Sequence, residues 1–181
     1  MTAKHAISGI NTLSEDAAVD VFGGLFEHSP WIVRETWRRA PFESVEALHA
    51  ALCTTLDDAA ETEQLDLIRT HPDLVGKAAR SGTLTRESTA EQRAADLGPD
   101  DLAVEEVETF QRLNREYRER FGFPFVICAR ENRKASILAG FASRMGHNRD
   151  TERLAAMAEI KRIAWYRLTD LVDNDVNTGD E

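Results

Sequence analysis

Cysteine is scarce in this sequence. Its 181 residues include two cysteines, Cys53 and Cys128, which form neither a Cys-x-x-Cys pair nor the spacing of a zinc site. We predict two buried, reduced thiols, which argues against a disulfide scaffold. The Glu-x-x-His pattern of Glu46 and His49 has no second copy, as a di-iron helical bundle would require. We therefore predict no metal site.

Long hydrophobic runs and an excess of basic charge are also missing. No apolar stretch approaches the roughly 20 residues that a membrane-spanning helix needs. The start of the chain lacks the apolar core of a secretory signal, so we expect a cytoplasmic protein. Lysine and arginine number 22 against 32 acidic residues, a net charge of −10. That balance disfavours binding to nucleic acid or to an anionic membrane. A small anionic ligand would need a local cationic pocket.

Hydrophobic residues make up 42% of the sequence, and most of them recur at helical spacing. This pattern predicts an all-α protein, a compact single-domain bundle of seven to eight helices. We assign residues 13–172 to the helical domain. The polar ends predict a frayed or disordered tail over residues 1–12 and an acidic tail over residues 173–181.

Helix starts are marked by serines. Ser14, Ser29 and Ser44 each precede an apolar periodic stretch and are predicted N-caps, with Pro30 in the first turn of the second helix. A short fourth helix ends at His71, because a residue before proline is disfavoured in the α conformation. The remaining predictions are an irregular segment over 73–99 with a short helix from Ser88, and helices over about 100–120, 132–146 and 150–172.

His71 is the first candidate for chemistry. A histidine at a helix end, beside an irregular segment, is held by the helix while the break exposes its ring, which suits a proton donor. The alternative is a histidine that only complements the dipole at the C-terminus of the helix.

The stretch Ser88-Thr89-Ala90-Glu91-Gln92 allows two interpretations. Ser-x-x-Glu is the pattern of a capping box, in which Ser88 caps the helix and Glu91 bonds back to it. Alternatively, a hydroxyl, a carboxylate and an amide in one helical turn could bind a urea-like ligand.

Two further features could belong to a site. The apolar loop Phe123–Ile127 is either a buried connection or a segment whose backbone groups line a pocket. Arg167 falls on the inward stripe of the last helix, where it either extends to solvent or pairs with Asp170, or is held to bind a carboxylate.

Together these motifs are similar to one family. The matching stretches are Glu27-His28-Ser29-Pro30-Trp31, His71-Pro72-Asp73-Leu74, Ser88-Thr89-Ala90-Glu91-Gln92, Phe121-Gly122-Phe123-Pro124-Phe125-Val126-Ile127, and Glu159-Ile160-Lys161-Arg162-Ile163 through Arg167-Leu168. They run in chain order over about residues 22–171. The chain resembles the 2-oxo-4-hydroxy-4-carboxy-5-ureidoimidazoline (OHCU) decarboxylases of urate catabolism. One departure is His147, which stands where the family's asparagine is expected before the last helix.

The resemblance implies an all-α homodimer without a metal or organic cofactor. It implies decarboxylation of OHCU to (S)-allantoin, with His71 as general acid–base and with Glu91 and Arg167 as further catalytic residues. The substrate-binding residues it implies are Pro72, Ser88, Glu91, Gln92, Phe123, Pro124, Phe125, Val126, Ile127 and Arg167. A small-molecule substrate is the expected partner, with no nucleic acid and no membrane.

A non-catalytic helical adaptor, which binds a partner peptide in a groove, is the alternative function. It accounts equally well for the helical pattern and the acidic composition. It gives no reason for an imidazole, an acid–amide pair and an inward arginine to meet around one cavity, so such convergence would favour the enzyme.

Overall fold

The computed structural model of the chain describes residues 4–98 and 100–173. Within these residues it contains ten α-helices and two 3-10 turns, and its one β-type contact is an isolated bridge between His5 and Val172. The all-α prediction is confirmed, and eight of these helices have seven or more residues. The helices are α1 Ile7–Ile10, α2 Glu15–Phe22, α3 Trp31–Trp37, α4 Val45–Asp58, α5 Glu61–Thr70, α6 Lys77–Ser81, α7 Arg86–Ala94, α8 Val104–Phe121, α9 Lys134–Arg144 and α10 Arg149–Leu171. The 3-10 turns are Gly23–Leu25 and Ala129–Glu131.

Two of the three predicted serine caps are present. The hydroxyl oxygens of Ser14 and Ser44 accept hydrogen bonds from the backbone nitrogens of Ala17 and Ala47. Each serine therefore satisfies one of the N–H groups that lack a partner at the start of a helix. The third prediction is wrong. Pro30 occupies the N-cap of α3 without a side-chain cap. The backbone of buried Ser29 accepts from the N–H of Ile32 and donates to the carbonyl of Phe26.

Some residues of the two predicted tails belong to the described structure. Residues 7–10, which we assigned to a frayed tail, form α1, and Ile10 is fully buried. An apolar residue with a place in the core holds this segment against chain entropy. Asp173, the first residue of the predicted acidic tail, donates its N–H to the carbonyl of His5. Residues 174–181 lie outside the described residues.

The boundaries of the long central helix differ from the prediction. Helix α8 begins at Val104, where the Glu106 carboxylate accepts from the N–H of Ala103 at 2.9 Å. It ends at Gly122, whose φ of +79° is the left-handed conformation that glycine adopts at low cost. Helix α6 lies within the segment 73–99, which was predicted to be irregular except for the helix from Ser88.

The chain divides into two compact units. Unit 1 comprises Met1–Ala60 and Ala164–Glu181, and unit 2 comprises Glu61–Ile163. The prediction of one domain over 13–172 stays a prediction. In unit 1 the core includes a stacked pair, Phe22 and Trp37, with ring centroids 5.5 Å apart. The core of unit 2 is an aromatic cluster. Its members are Phe110, Tyr117, Phe121, Phe123, Phe125 and Phe141.

Candidate active site

His71 follows the last residue of α5 and is buried, with 6% of its surface exposed. Its Nδ1 lies 3.0 Å from the carbonyl oxygen of Leu67. Because a carbonyl only accepts, Nδ1 carries a proton, and Nε2 is the ring nitrogen that can change its protonation state. The predicted exposure of the ring is wrong, since this bond turns the ring back along α5. The contact also satisfies a carbonyl at the C-terminal end of the helix, which fits the structural alternative; the chemical role of His71 stays a prediction.

A tight turn follows His71 and Pro72. The carbonyl of Asp73 accepts from the N–H of Gly76 at 3.2 Å, and Val75 has a φ of +54°. Positive φ at the third position is typical of a type II turn, which normally places glycine there. For a β-branched residue this conformation is strained, at a cost of about 1–3 kcal/mol. A Cβ on Gly76 would lie 2.7 Å from that of Asp73, so this position requires glycine.

Side chains from α7 and α8 hold this strained turn at three successive residues. The Gln92 side-chain oxygen accepts from the N–H of Val75 at 3.0 Å. The side-chain amide of Asn114 donates to the carbonyl of Leu74 at 2.8 Å. Arg118 donates through Nε to the Asp73 carboxylate at 2.8 Å. Such support from outside the turn is what allows a strained conformation to persist.

The start of α7 overturns the predicted capping box. The N-cap is Thr85, whose hydroxyl accepts from the backbone nitrogen of Ser88 at 3.2 Å. Ser88 therefore lies in the first turn, and Ser88, Glu91 and Gln92, at positions i, i+3 and i+4, share one face of the helix. All three are buried, at 5%, 7% and 5% exposure. Helix capping therefore does not explain why a carboxylate is buried at position 91.

A cavity of about 180 Å³ adjoins this helix within unit 2. Of the predicted site residues, Gln92 is the one that lines it. The lining residues are Ala79, Gly82, Leu84, Thr89, Gln92, Arg93, Leu97 and Gly98.

The segment Phe123–Ile127 is an irregular, apolar connection between α8 and the second 3-10 turn, and it is buried except for half-buried Ile127. Phe125 stacks on Phe141 with centroids 3.9 Å apart. The carbonyl of Val126 accepts from Arg144 Nη1 at 2.7 Å. The first interpretation, a buried connection, is confirmed. The second, that its backbone groups line a pocket, stays a prediction.

Arg144 belongs to a buried polar cluster that the sequence analysis missed. One oxygen of Glu152, a fully buried residue, accepts from Nε and Nη2 of Arg144 at 2.8 and 2.5 Å and from the hydroxyl of Tyr117. The other oxygen lies 2.7 Å from Nδ1 of His147. The sequence does not reveal the pair of Arg144 and Glu152. Arg144 lies on α9 and Glu152 on α10, so no helical period relates the two positions.

Burial and pairing act in opposite directions on this cluster. Desolvation raises the pKa of the Glu152 carboxyl to about 8 and lowers the pKa of the Arg144 guanidinium to about 10. Two hydrogen bonds from the guanidinium to one carboxylate oxygen favour the charged form of both groups, and we assign the pair as ionised. His147, the residue that departs from the family pattern, is therefore the third group around this carboxylate. The adjacent Asn148 caps α10 by accepting from the N–H of Thr151 at 2.8 Å.

Arg167 lies in unit 1 and is 4% exposed, so the predicted extension to solvent is wrong. Its Nη1 donates to the carbonyl of Gly24 at 3.1 Å and to the carboxylate of Glu27 at 3.2 Å. Glu27 is itself 4% exposed, which makes this a buried ion pair.

Neither a metal site nor a membrane span is found in the described part of the chain. No group of three or more histidine, cysteine, aspartate or glutamate side chains among residues 4–98 and 100–173 is arranged to hold a metal ion. Glu46, from the pattern that suggested a di-iron site, is exposed on α4. Among the same residues, no helix combines the length and the apolar character needed to cross a membrane.

Comparisons with known proteins point to one family. The family model described as OHCU decarboxylase matches residues 11–169. A 2-oxo-4-hydroxy-4-carboxy-5-ureidoimidazoline decarboxylase of Haloferax volcanii is 41% identical over 161 residues, which is 89% of this chain and 92% of that protein. The mouse protein of the same name is 37% identical, with 90% of each chain covered.

Solved structures agree with the fold. The crystal structure of an (S)-allantoin synthase superposes with a TM-score of 0.74 at 25% identity over 93% of this chain, which spans about half (54%) of that longer one. An OHCU decarboxylase crystallised in the presence of (S)-allantoin superposes with a TM-score of 0.68, covering 88% of this chain and 98% of the other. At 17% identity that second likeness shows the fold alone.

Proposed function

Because this chain belongs to the OHCU decarboxylase family, we propose that it converts OHCU to (S)-allantoin and carbon dioxide in urate degradation. The observation that carries the proposal in this structure is the buried face of α7. Ser88, Glu91 and Gln92 share that face, and Gln92 is bonded to the turn that follows His71. A hydroxyl, a carboxylate and an amide on one buried face provide donors and acceptors away from water, so this face suits a site for a small polar molecule.

The reaction requires that the substrate is oriented and that one proton is delivered to its ring. The substrate carries its carboxylate on a ring carbon next to a C=N bond. When the bond to the carboxylate breaks and carbon dioxide leaves, its electron pair forms a C=C bond between the two ring carbons and the C=N pair shifts to the nitrogen, so an external electron sink is not required. Protonation of the ring on one face then gives a single enantiomer. The chain's task is therefore to place charges and to deliver a proton, and we propose that it uses no cofactor.

His71 is proposed to exchange that proton through Nε2. The carbonyl of Leu67 can accept from Nδ1 in both the neutral and the doubly protonated ring. The ring orientation is therefore preserved while Nε2 gains and loses its proton, as a general acid–base requires.

The remaining side chains are proposed to hold the substrate. Ser88, Glu91 and Gln92 suit the N–H and C=O groups of a ring and a ureido arm, with Pro72 beside them. Phe123–Ile127 contributes backbone groups and apolar contacts. Arg167 is proposed to orient the ligand or to balance its negative charge, with Glu27 fixing the guanidinium. If Arg167 bound the departing carboxylate strongly, it would stabilise the ground state and so slow decarboxylation.

A homodimer is proposed from the family resemblance, and a cytoplasmic location stays the prediction of the sequence analysis. Multi-angle light scattering of the purified chain tests the first, since the mass of one chain is 20.3 kDa. Fractionation of the native host's cells tests the second.

A coupled assay tests the activity. The unstable intermediate is generated from urate with the two upstream enzymes, the chain is added, and optically active allantoin is followed by circular dichroism. We expect a rapid rise of the (S)-allantoin signal that depends on the concentration of this protein. Racemic allantoin at the uncatalysed rate would contradict the proposal and would favour the helical adaptor instead.

A further inference from the structure

The backbone on either side of Ile127 is held by two charged side chains. Before it, the Val126 carbonyl accepts from Arg144 Nη1 at 2.7 Å. After it, the N–H of Cys128 donates to the Glu159 carboxylate at 2.8 Å. All of these residues belong to unit 2. Two successive peptide groups are therefore fixed in orientation by side chains of α9 and α10.

Peptide planarity then determines where the groups of Ile127 point. In a trans peptide the C=O of one residue and the N–H of the next point in opposite directions. The N–H of Ile127 therefore points away from Arg144, and the C=O of Ile127 points away from Glu159. Neither group has a hydrogen-bond partner among residues 4–98 and 100–173. Ile127 thus offers one donor and one acceptor that a bound molecule can use.

Arg144 is itself rigidly held. Glu152 accepts two of its hydrogen bonds, and its guanidinium lies 4.5 Å from the centroid of the Phe125 ring. An arginine fixed by a carboxylate and an aromatic face loses little further freedom when it binds a carbonyl. Glu159 is held in a similar way, because its other oxygen accepts from Arg162 at 2.7 Å.

We propose that Arg144 and Glu159 are positioning residues that present the N–H and C=O of Ile127 to the amide or ureido edge of the substrate. An amide or a urea carries both donors and acceptors, so it can bond to the N–H and to the C=O of Ile127. The inference rests on the proposed function for the identity of the ligand. It adds two side chains that act through the backbone of the 123–127 segment without touching the substrate.

Three variants on α10 separate this role from simple stabilisation. Glu159→Ala removes the acceptor for Cys128 and the pair with Arg162. Arg162→Ala removes the same pair and leaves the acceptor in place, so it is the matched control. Glu159→Gln keeps a carbonyl oxygen that can accept from Cys128. The measurements are KM and kcat in the coupled assay, the Kd for (S)-allantoin, and the melting temperature.

We expect Glu159→Ala to raise KM and the Kd for (S)-allantoin by about tenfold. A change of this size corresponds to the loss of roughly one hydrogen bond. Arg162→Ala should match the wild type, and Glu159→Gln should restore most of the affinity. Equal affinities for Glu159→Ala and Arg162→Ala would overturn the proposal.

If Glu159→Ala does not fold, Arg144→Lys replaces it, because lysine keeps the charge beside Glu152 without the guanidinium fork. Wild-type affinity in that variant would also count against the proposal.

Amide NMR distinguishes this inference from the proposed function. In the wild-type chain, titration with (S)-allantoin should shift the Ile127 amide and slow its hydrogen exchange. A chain that shows these effects without decarboxylating OHCU would retain the positioning role and lose the proposed reaction. A chain that decarboxylates OHCU while the Ile127 amide is unaffected would retain the reaction and lose the positioning role.

Discussion

The side-chain oxygen of Gln92 lies 3.0 Å from the backbone nitrogen of Val75 and accepts its hydrogen bond. This bond joins the buried face of α7 to the strained turn that follows Pro72. The amide of Gln92, predicted to bind substrate, therefore already uses its oxygen within the protein. Its amide nitrogen is the part of the side chain that we expect to serve a ligand.

Two substitutions of Gln92 separate these roles. Gln92→Ala leaves a buried N–H without its acceptor and should lower the free energy of unfolding by about 1–3 kcal/mol. Gln92→Glu keeps an acceptor for Val75, so it should melt near the wild-type temperature but raise KM, because it replaces a donor with a carboxylate oxygen. Urea denaturation and the coupled assay measure the two effects. A wild-type KM in Gln92→Glu would remove this residue from the substrate site.

Replacement of His71 tests the proton transfer. His71→Gln should reduce kcat by at least about 100-fold, the usual contribution of a general acid–base, while the helical circular dichroism spectrum is unchanged. His49→Gln on α4 is the matched control, because that histidine is half-buried and has no assigned role in the site. If His71→Gln turns over at the wild-type rate, the catalytic assignment is wrong.

Substitutions of Thr85 and Glu91 should have opposite effects on stability and turnover. Thr85→Ala removes the N-cap of α7 and should cost about 1 kcal/mol of stability with activity retained. Glu91→Gln leaves the Thr85 cap in place and keeps the size of the side chain and one acceptor oxygen, so it should keep most of its stability and lose turnover. The melting temperature and kcat of both variants decide the matter. A Glu91→Gln variant that is less stable but fully active would return this residue to a structural role.

The buried pair of Arg167 and Glu27 complicates any test of the arginine. Arg167→Ala removes one partner of a buried ion pair and should destabilise the fold by roughly 3–5 kcal/mol, whatever the arginine does in catalysis. The double variant Arg167→Met with Glu27→Met removes both charges and should recover much of that stability. If it also recovers turnover, Arg167 has no part in the reaction. We expect a stable protein with little activity.

Cys128 should be unreactive in the folded protein. Burial raises the pKa of its thiol to about 11, so only about one thiol in a thousand is ionised at pH 8, and the thiolate is the nucleophile. Iodoacetamide at that pH should leave Cys128 unmodified in the native chain and alkylate it after denaturation, as peptide mass spectrometry would report. Rapid native labelling of Cys128 would contradict the buried position.

Much of the helical framework follows from local signals. Ser14 and Ser44 cap the helices predicted for them, and α5 ends just before His71 and Pro72. A cap, a proline or a left-handed glycine acts within a few residues, so its effect can be predicted without the rest of the fold. The family motifs are equally local, which is why the candidate residues could be named from the sequence.

The start of α7 needed more than local information. Thr85 and Ser88 are both residues that cap helices well, and each is followed by a stretch that can form a helix. The chain uses Thr85, a choice that places Ser88 and Glu91 on a buried face. Burial depends on what packs against the helix, which a capping pattern does not contain.

The sequence by itself determined an all-α chain, the end of α5 before His71, and the motifs that identify its family, because these depend on neighbours a few residues away. Only the tertiary structure decided which polar groups are paired inside it. Asn114 reaches Leu74 across 40 residues, and Arg167 pairs with Glu27 across 140. Such pairs form when packing excludes water from both partners. Periodicity along the chain cannot predict them, because the partners are far apart in sequence.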